Sequence, residues 1–251
     1  MSQDSPGQHF ALLRSKPNYN PVIAIRASMS IHAHKGVQAF QSTSGRMWME
    51  SGTNSIQAGW MISPKLYGDN QIRLFIFWKN KDSGCFNLLC DPGFVQVSRD
   101  TPVDIVFNHS STPQQQYEIP LRIEKDMKTN CWWLVTNEDV YIGYWPSGLL
   151  PDLDKNGANY IAWGGMATTS PPTAPSPQMG SGYFGTFDFQ ESAYMCLLQI
   201  VDSSKTWLNP HEADLEIYYD HKACYYSRYD GYQGKNGHVV FYGGPGGNCG
   251  A

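Results

Sequence analysis

The residue types in this chain that could do chemistry lie in a few short stretches. Gln57 sits in Asn54-Ser55-Ile56-Gln57-Ala58-Gly59-Trp60, where a carboxamide, with its paired donor and acceptor, can polarise a carbonyl or hold a water. It cannot carry a proton. Proton transfer needs a titratable partner, and Glu50, in Met47-Trp48-Met49-Glu50, would reach the same face if a hairpin joined the two runs. The competing reading of Glu50 is a solvent-exposed strand carboxylate. His32 and His34 alternate in Ile31-His32-Ala33-His34 and could chelate a metal, yet no third ligand accompanies them, so they read as exposed strand histidines. Asp69 and Asp139 fit turns, and His238 reads as a packed, hydrogen-bonded residue. No Gly-x-Ser-x-Gly elbow occurs, and Ser181, in Gln178-Met179-Gly180-Ser181-Gly182, lacks the strand-to-helix context of a nucleophile.

Strands must position these groups. Short runs of β-branched and aromatic residues recur between Gly, Pro, Asn and Asp clusters, without a 3.6-residue or heptad pattern. Strands are expected at Val22 to Ser30, Val37 to Phe40, Arg46 to Glu50, Ser55 to Ile62, Arg73 to Lys79, Phe94 to Val97 and Tyr117 to Lys125. Further on they are expected at Cys131 to Thr136, Val140 to Tyr144, Asn159 to Trp163, Ala193 to Val201, Leu215 to Tyr219 and His238 to Tyr242. One short helical piece is expected at Leu149 to Leu153. The proline-rich stretch from Pro171 to Pro177 reads as an extended loop rather than a linker, because strand-like pattern continues on both sides. The reading is a single all-β domain over residues 1–251, an antiparallel β-sandwich of two sheets, with residues 1–8 a flexible or appended start.

Charged residues make up 16% of the 251, the net charge is −4 and aromatics reach 14%. That balance offers no basic patch for nucleic acid, and no apolar run is long enough to span a membrane. Of six cysteines, Cys85 and Cys90 bracket a short loop, and Cys224 with Cys249 would tie the C-terminal region. Such spacing suits disulfides and offers no metal site. Cys131 and Cys196 lie inside hydrophobic runs and are either a third bridge, the favoured reading, or two buried thiols. Asn108-His109-Ser110 matches the N-glycosylation sequon. The opening Met1-Ser2-Gln3-Asp4 reads as the start of a mature domain whose secretion signal and pro-segment have been removed, which places the protein outside the cell or in the vacuole.

Seven ordered segments resemble the neprosin family, plant glutamic peptidases that cut after proline. They are Gly7-Gln8-His9-Phe10-Ala11; Ile56 to Trp60, followed by Pro64-Lys65-Leu66-Tyr67-Gly68-Asp69; and Cys85-Phe86-Asn87-Leu88-Leu89-Cys90. The others are Val140 to Pro146, Trp163-Gly164-Gly165-Met166, Gln178 to Gly182 and Phe241 to Gly246. The resemblance implies two curved sheets with a cleft on a concave face, and bridges Cys85–Cys90 and Cys224–Cys249. It also implies two glutamates facing across that cleft, one activating a water, the other polarising the carbonyl and protonating the leaving nitrogen. They map to Gln57 and to Met166, with Ala162 as the alternative register for the second. Trp48, Trp60, Tyr67, Ala162 and Gln178 are the expected ligand-lining residues.

Gln57 alone is survivable, since the related fungal eqolisins pair a glutamine with a glutamate. A thioether at Met166 cannot accept and return a proton, and general acid–base help is worth about 10²–10⁴-fold. The expectation is a neprosin-fold protein with a degenerate peptidase site that keeps its cleft for an extended peptide, a glycan or an apolar small molecule, or for a different reaction. It would work as a monomer, without a cofactor. The alternative is a working prolyl endopeptidase that uses Gln57 with Glu50.

Overall fold

The computed structural model describes residues 6–81, 83–136 and 139–249. Among them the strands are β1 (Gln8–Ser15), β2 (Ala24–Ser30), β3 (Gln41–Ser51), β4 (Asn54–Ile62), β5 (Arg73–Lys79), β6 (Gly84–Phe86) and β7 (Val95–Gln96). They continue with β8 (Glu118–Lys125), β9 (Trp132–Thr136), β10 (Val140–Trp145), β11 (Tyr160–Thr169), β12 (Met179–Gly180) and β13 (Ala193–Val201). The last are β14 (Trp207–Leu208), β15 (Leu215–Tyr219), β16 (Tyr226–Tyr232) and β17 (His238–Gly244), and two short helices, α1 (Pro64–Tyr67) and α2 (Pro151–Asn156), complete the set.

The strands form two antiparallel sheets, as the short β-branched and aromatic runs implied. A seven-stranded sheet runs β15-β1-β11-β3-β4-β5-β6. A ten-stranded sheet runs β12-β17-β13-β2-β8-β9-β10-β7, with β14 beside β13 and β16 beside β17. Between them lies one large core, to which Leu13, Met47, Met49, Ile56, Ala58, Trp60 and Trp163 contribute from the first sheet and Ile25, Met29, Leu121, Ile123, Met195 and Tyr242 from the second. Large aromatic rings carry much of the burial, each removing about 150–250 Å² from water. They need glycines opposite. A Cβ at Gly45 would stand 2.6 Å from Trp60 Nε1 and 2.2 Å from the Tyr242 hydroxyl.

Every residue of β4 is buried, because one of its faces meets this core and the other is covered as well. The strand is joined to β3 by a two-residue turn in which Gly52 takes a positive φ of 56°, a conformation glycine adopts without strain. That turn sets Trp48 opposite Gln57 and Glu50 opposite Ser55. A one-residue slip of β4 would turn Ser55 and Gln57 to the core side.

Several elements depart from the expectations. Val37 to Phe40 forms no strand, the run at Phe94 to Val97 reduces to Val95–Gln96, and the helical piece sits at Pro151–Asn156. Strand β1 was not foreseen: Gln8–Ser15 has no β-branched residue, and it is extended because β11 and β15 pair with it on both sides. Gln8 already stands opposite Thr168, so the flexible start expected over residues 1–8 ends sooner; residues 1–5 lie outside the described residues. Strand β16, with Asp230 and Gly231 inside it, is likewise held by pairing to β17.

Disulfides join Cys85 to Cys90 and Cys224 to Cys249. The third bridge does not form. Cys196 lies in β13 and Cys131 just before β9, with β2 and β8 between those strands, so both are free thiols; Cys196 is buried and Cys131 partly exposed.

Candidate active-site cleft

Alternation along the strands decides which side chains leave the core. On the outer face of the seven-stranded sheet, Phe10 and Leu12 from β1, Tyr160 and Met166 from β11, Arg46, Trp48 and Glu50 from β3, Ser55 and Gln57 from β4, and Phe77 and Lys79 from β5 surround a cavity of about 330 Å³. Phe86 of β6 closes one side. A second cavity of about 520 Å³ shares Gln8, Arg46, Phe86 and Met166 with the first, so the two form one groove joined at Arg46 and Met166.

Three rows cross the floor of this groove. Ala162, Trp48, Gln57 and Phe77 stand directly opposite one another on β11, β3, β4 and β5. The next row holds Gly164, Arg46, Gly59 and Phe75, and the one beyond it Met166, Ser44 and Met61. In the middle row Arg46 has a glycine on each side, and its long side chain lies over the Phe75 ring, 4.6 Å from its centroid.

Arg46 is 3% exposed. Its Nε donates to Ser44 Oγ and its Nη1 to Gln57 Oε1, both at 2.8 Å. Burial pulls its pKa down to about 9, so it stays charged at neutral pH. No carboxylate among the described residues pairs with it. On its other side the Gln57 amide donates from Nε2 to Ser55 Oγ at 3.2 Å, and Ser55 Oγ approaches Glu50 Oε1 at 3.5 Å. Burial raises the Glu50 carboxyl above its usual range, against the opposing effects of Ser55 and Lys79. Glu50 is therefore half-buried in the cleft rather than a solvent-exposed strand acid.

The expected site residues separate. Trp48 lines the cavity, and Ala162 is packed with it and Leu12 on the same face. Trp60 does not line the groove: it turns into the core and donates its indole N–H to Ser30 O at 2.8 Å, because even-numbered residues of β4 face the second sheet. Tyr67 ends α1, accepts a hydrogen bond from Asn87 Nδ2 at 3.0 Å and lies outside both cavity linings. Gln178 is exposed beside the ten-stranded sheet, in contact with His34 Nδ1 at 3.1 Å, and is also outside the groove. His32 and His34 are not exposed. His32 is buried against Trp60 and bonded to Ser30 Oγ, and His34 donates to Gly180 O. His238 is packed and bonded to the Tyr229 hydroxyl, and Asn108 is exposed in a loop.

Arg46, Ser55 and Tyr160 went unforeseen as site residues. The signal for Arg46 was available: it is a charge in phase with Trp48, Glu50 and, across the turn, Gln57, on the face opposite Met47 and Met49.

The chain matches the sequence profile of the family described as Neprosin over residues 39–245. Among solved structures it is similar to scytalido-glutamic peptidase with a transition state analog inhibitor, at 8% identity and TM-score 0.49, covering 94% of this chain and 97% of that one. It is similar also to SCP-B, a member of the eqolisin family of peptidases in complex with the tripeptide Ala-Ile-His, at 8% identity and TM-score 0.48, covering 95% and 98%. Toad ovary galectin with thio-digalactose matches at 14% identity and TM-score 0.29, covering 64% of this chain and 92% of that one. With the family match spanning most of its length, the chain belongs to the neprosin family.

Proposed function

We propose that this protein holds an extended peptide in the groove of its seven-stranded sheet without cleaving it. The observation that carries the reading is the bond from Arg46 Nη1 to Gln57 Oε1. It occupies an acceptor of the carboxamide at one family glutamate position, while the other position, Met166, is a thioether in the same cavity. A glutamic peptidase needs a group there that takes and returns a proton, and neither side chain does. What the groove retains is recognition: aromatic and aliphatic walls of Phe10, Leu12, Trp48 and Phe77 around a few polar atoms, the usual make-up of a ligand site. A cleavage assay on proline-containing peptides from pH 3 to 7 tests the reading. Robust turnover that Gln57→Ala abolishes would overturn it.

A second reading is supported by one feature. Glu50 shares the cavity with Gln57, connects to it through Ser55, and has a raised pKa, the condition of a carboxyl that can deliver a proton. On that reading the protein is an acid endopeptidase in which Gln57 polarises the carbonyl and Glu50 transfers the proton. Activity lost in Glu50→Gln would support it; the same rate in that variant would remove it.

The two disulfides suit an oxidising compartment, and we place the protein in the secretory route with Asn108 glycosylated. A mass loss on enzymatic deglycosylation, absent in Asn108→Gln, is the check.

A further inference from the structure

The groove holds a buried guanidinium with no anionic partner among the described residues. Arg46 uses two of its N–H groups on Ser44 and Gln57, and Nη2 bonds to no described residue. A charge removed from water is costly unless a counter-charge or a full set of hydrogen bonds meets it. Here the partners are a hydroxyl and a neutral amide, with the Phe75 and Trp48 rings beside the guanidinium and the neutral Tyr67 phenol near enough to act on its charge. The two nearby positions at which the family carries glutamate, Gln57 and Met166, contribute no negative charge. Glu50 is the acid in the same cavity, but it stands opposite Ser55 and Tyr160, four residues along β3 from Arg46, and is influenced by Lys79 rather than by Arg46.

We propose that the missing counter-charge comes from the ligand: Arg46 binds a carboxylate of a peptide whose apolar side chains lie against Trp48, Phe77 and Leu12. The guanidinium fork is suited to this, since its planar N–H groups match carboxylate oxygens and give shorter, stronger bonds than a neutral acceptor would. Arg46 sits where the two cavities meet, so a peptide ending over it fills one half of the groove, and one carrying an acidic side chain there fills both. The inference deepens the peptide-binding reading and rests on it.

The test uses the whole protein and a mixed library of N-acetylated pentapeptides without Asp or Glu, made once as C-terminal acids and once as C-terminal amides. A third set consists of amides with one Asp or Glu. Bound peptides are identified by affinity selection and mass spectrometry, and individual members are titrated by tryptophan fluorescence. The expected result is that acids, or amides with an acidic side chain, bind about tenfold or more tighter than matched neutral amides; which of the two sets is enriched identifies the source of the carboxylate. Gln57→Glu, nearly the same shape, supplies Arg46 with an internal carboxylate and should abolish that preference. Equal binding of acids and neutral amides by the unaltered protein overturns the inference but leaves the peptide reading standing, as does a preference that survives in Gln57→Glu. Binding of no member of any set overturns both.

Discussion

Arg46 Nη1 lies 2.8 Å from Gln57 Oε1, and this contact joins a buried cation to a neutral amide. With a glutamate in place of Gln57 the same geometry would be a buried ion pair. With Gln57 it is a charge–dipole bond, and the positive charge remains in the groove.

Gln57→Glu should raise stability at neutral pH. Arg46 has already been desolvated, so only the new carboxylate must be, and a bond between two charges is worth more than one to an amide; a gain of about 1 kcal/mol, or about 2–4 °C in melting temperature, is expected. Arg46 would hold that carboxyl below its usual range, so the gain is present above the unfolded pKa and fades as pH falls through the folded one. Melting curves at pH 7 and pH 3 check both parts.

Acid should destabilise the protein through its buried imidazoles. Burial, with a smaller effect from His34, lowers the His32 pKa from 6.5 to about 3, and burial also lowers His34. Between pH 6.5 and 3 the unfolded chain binds a proton at His32 that the folded chain does not, so stability falls as pH drops through that window. The His32 share is roughly 3 kcal/mol by pH 4. Denaturant titrations from pH 7 to 4 should lose less stability in His32→Gln than in the parent; parallel losses would count against this assignment.

Glu50 behaves in the opposite sense. Its carboxyl is raised by burial, so the folded chain holds that proton more tightly and loses stability as pH rises through the carboxylate range. Glu50→Gln removes this loss and should gain on the parent as pH increases from 4 to 7. An unchanged difference across that range would show that Glu50 is as well solvated folded as unfolded.

Gly45→Ala tests the packing beneath the cleft. The added methyl would press on Trp60 and the Tyr242 hydroxyl between the sheets, and overpacking of a filled core costs about 1–3 kcal/mol. Gly36→Ala, with nothing within 4 Å of the new atom, is the control and should be near neutral. Equal melting temperatures for the two variants would refute the account of why Gly45 is glycine.

The free thiols should differ sharply. Burial, reinforced by Glu118, pushes the Cys196 thiol up to about 12, whereas Cys131 is partly exposed. Iodoacetamide at pH 8 should label Cys131 alone until denaturant is added, because the thiolate is the reactive form. Early labelling of Cys196, or a mass showing both cysteines oxidised, would contradict the structure.

The sandwich was legible in the chain because short β-branched and aromatic runs such as Arg73–Lys79 and Ala193–Val201 recur between turn-forming clusters without a helical period. That Gln57 and Met166 line one cavity came from the tertiary structure, which brings β4 and β11 to the same outer face. Residue order alone could not say that β1, with no β-branched residue, is a strand: its backbone is satisfied only by neighbours more than a hundred residues away, Thr168 among them. Nor could it say that Trp60 leaves the ligand face while Trp48 stays on it, a matter of phase set by the turn at Gly52 and Thr53. The isolation of Arg46 is the clearest case. Its charge is plain in the sequence, but whether a buried charge has a partner depends on what four strands bring within about 3 or 4 Å, and only the packed sheet shows an amide, a hydroxyl and a phenyl ring there, and no acid among the described residues.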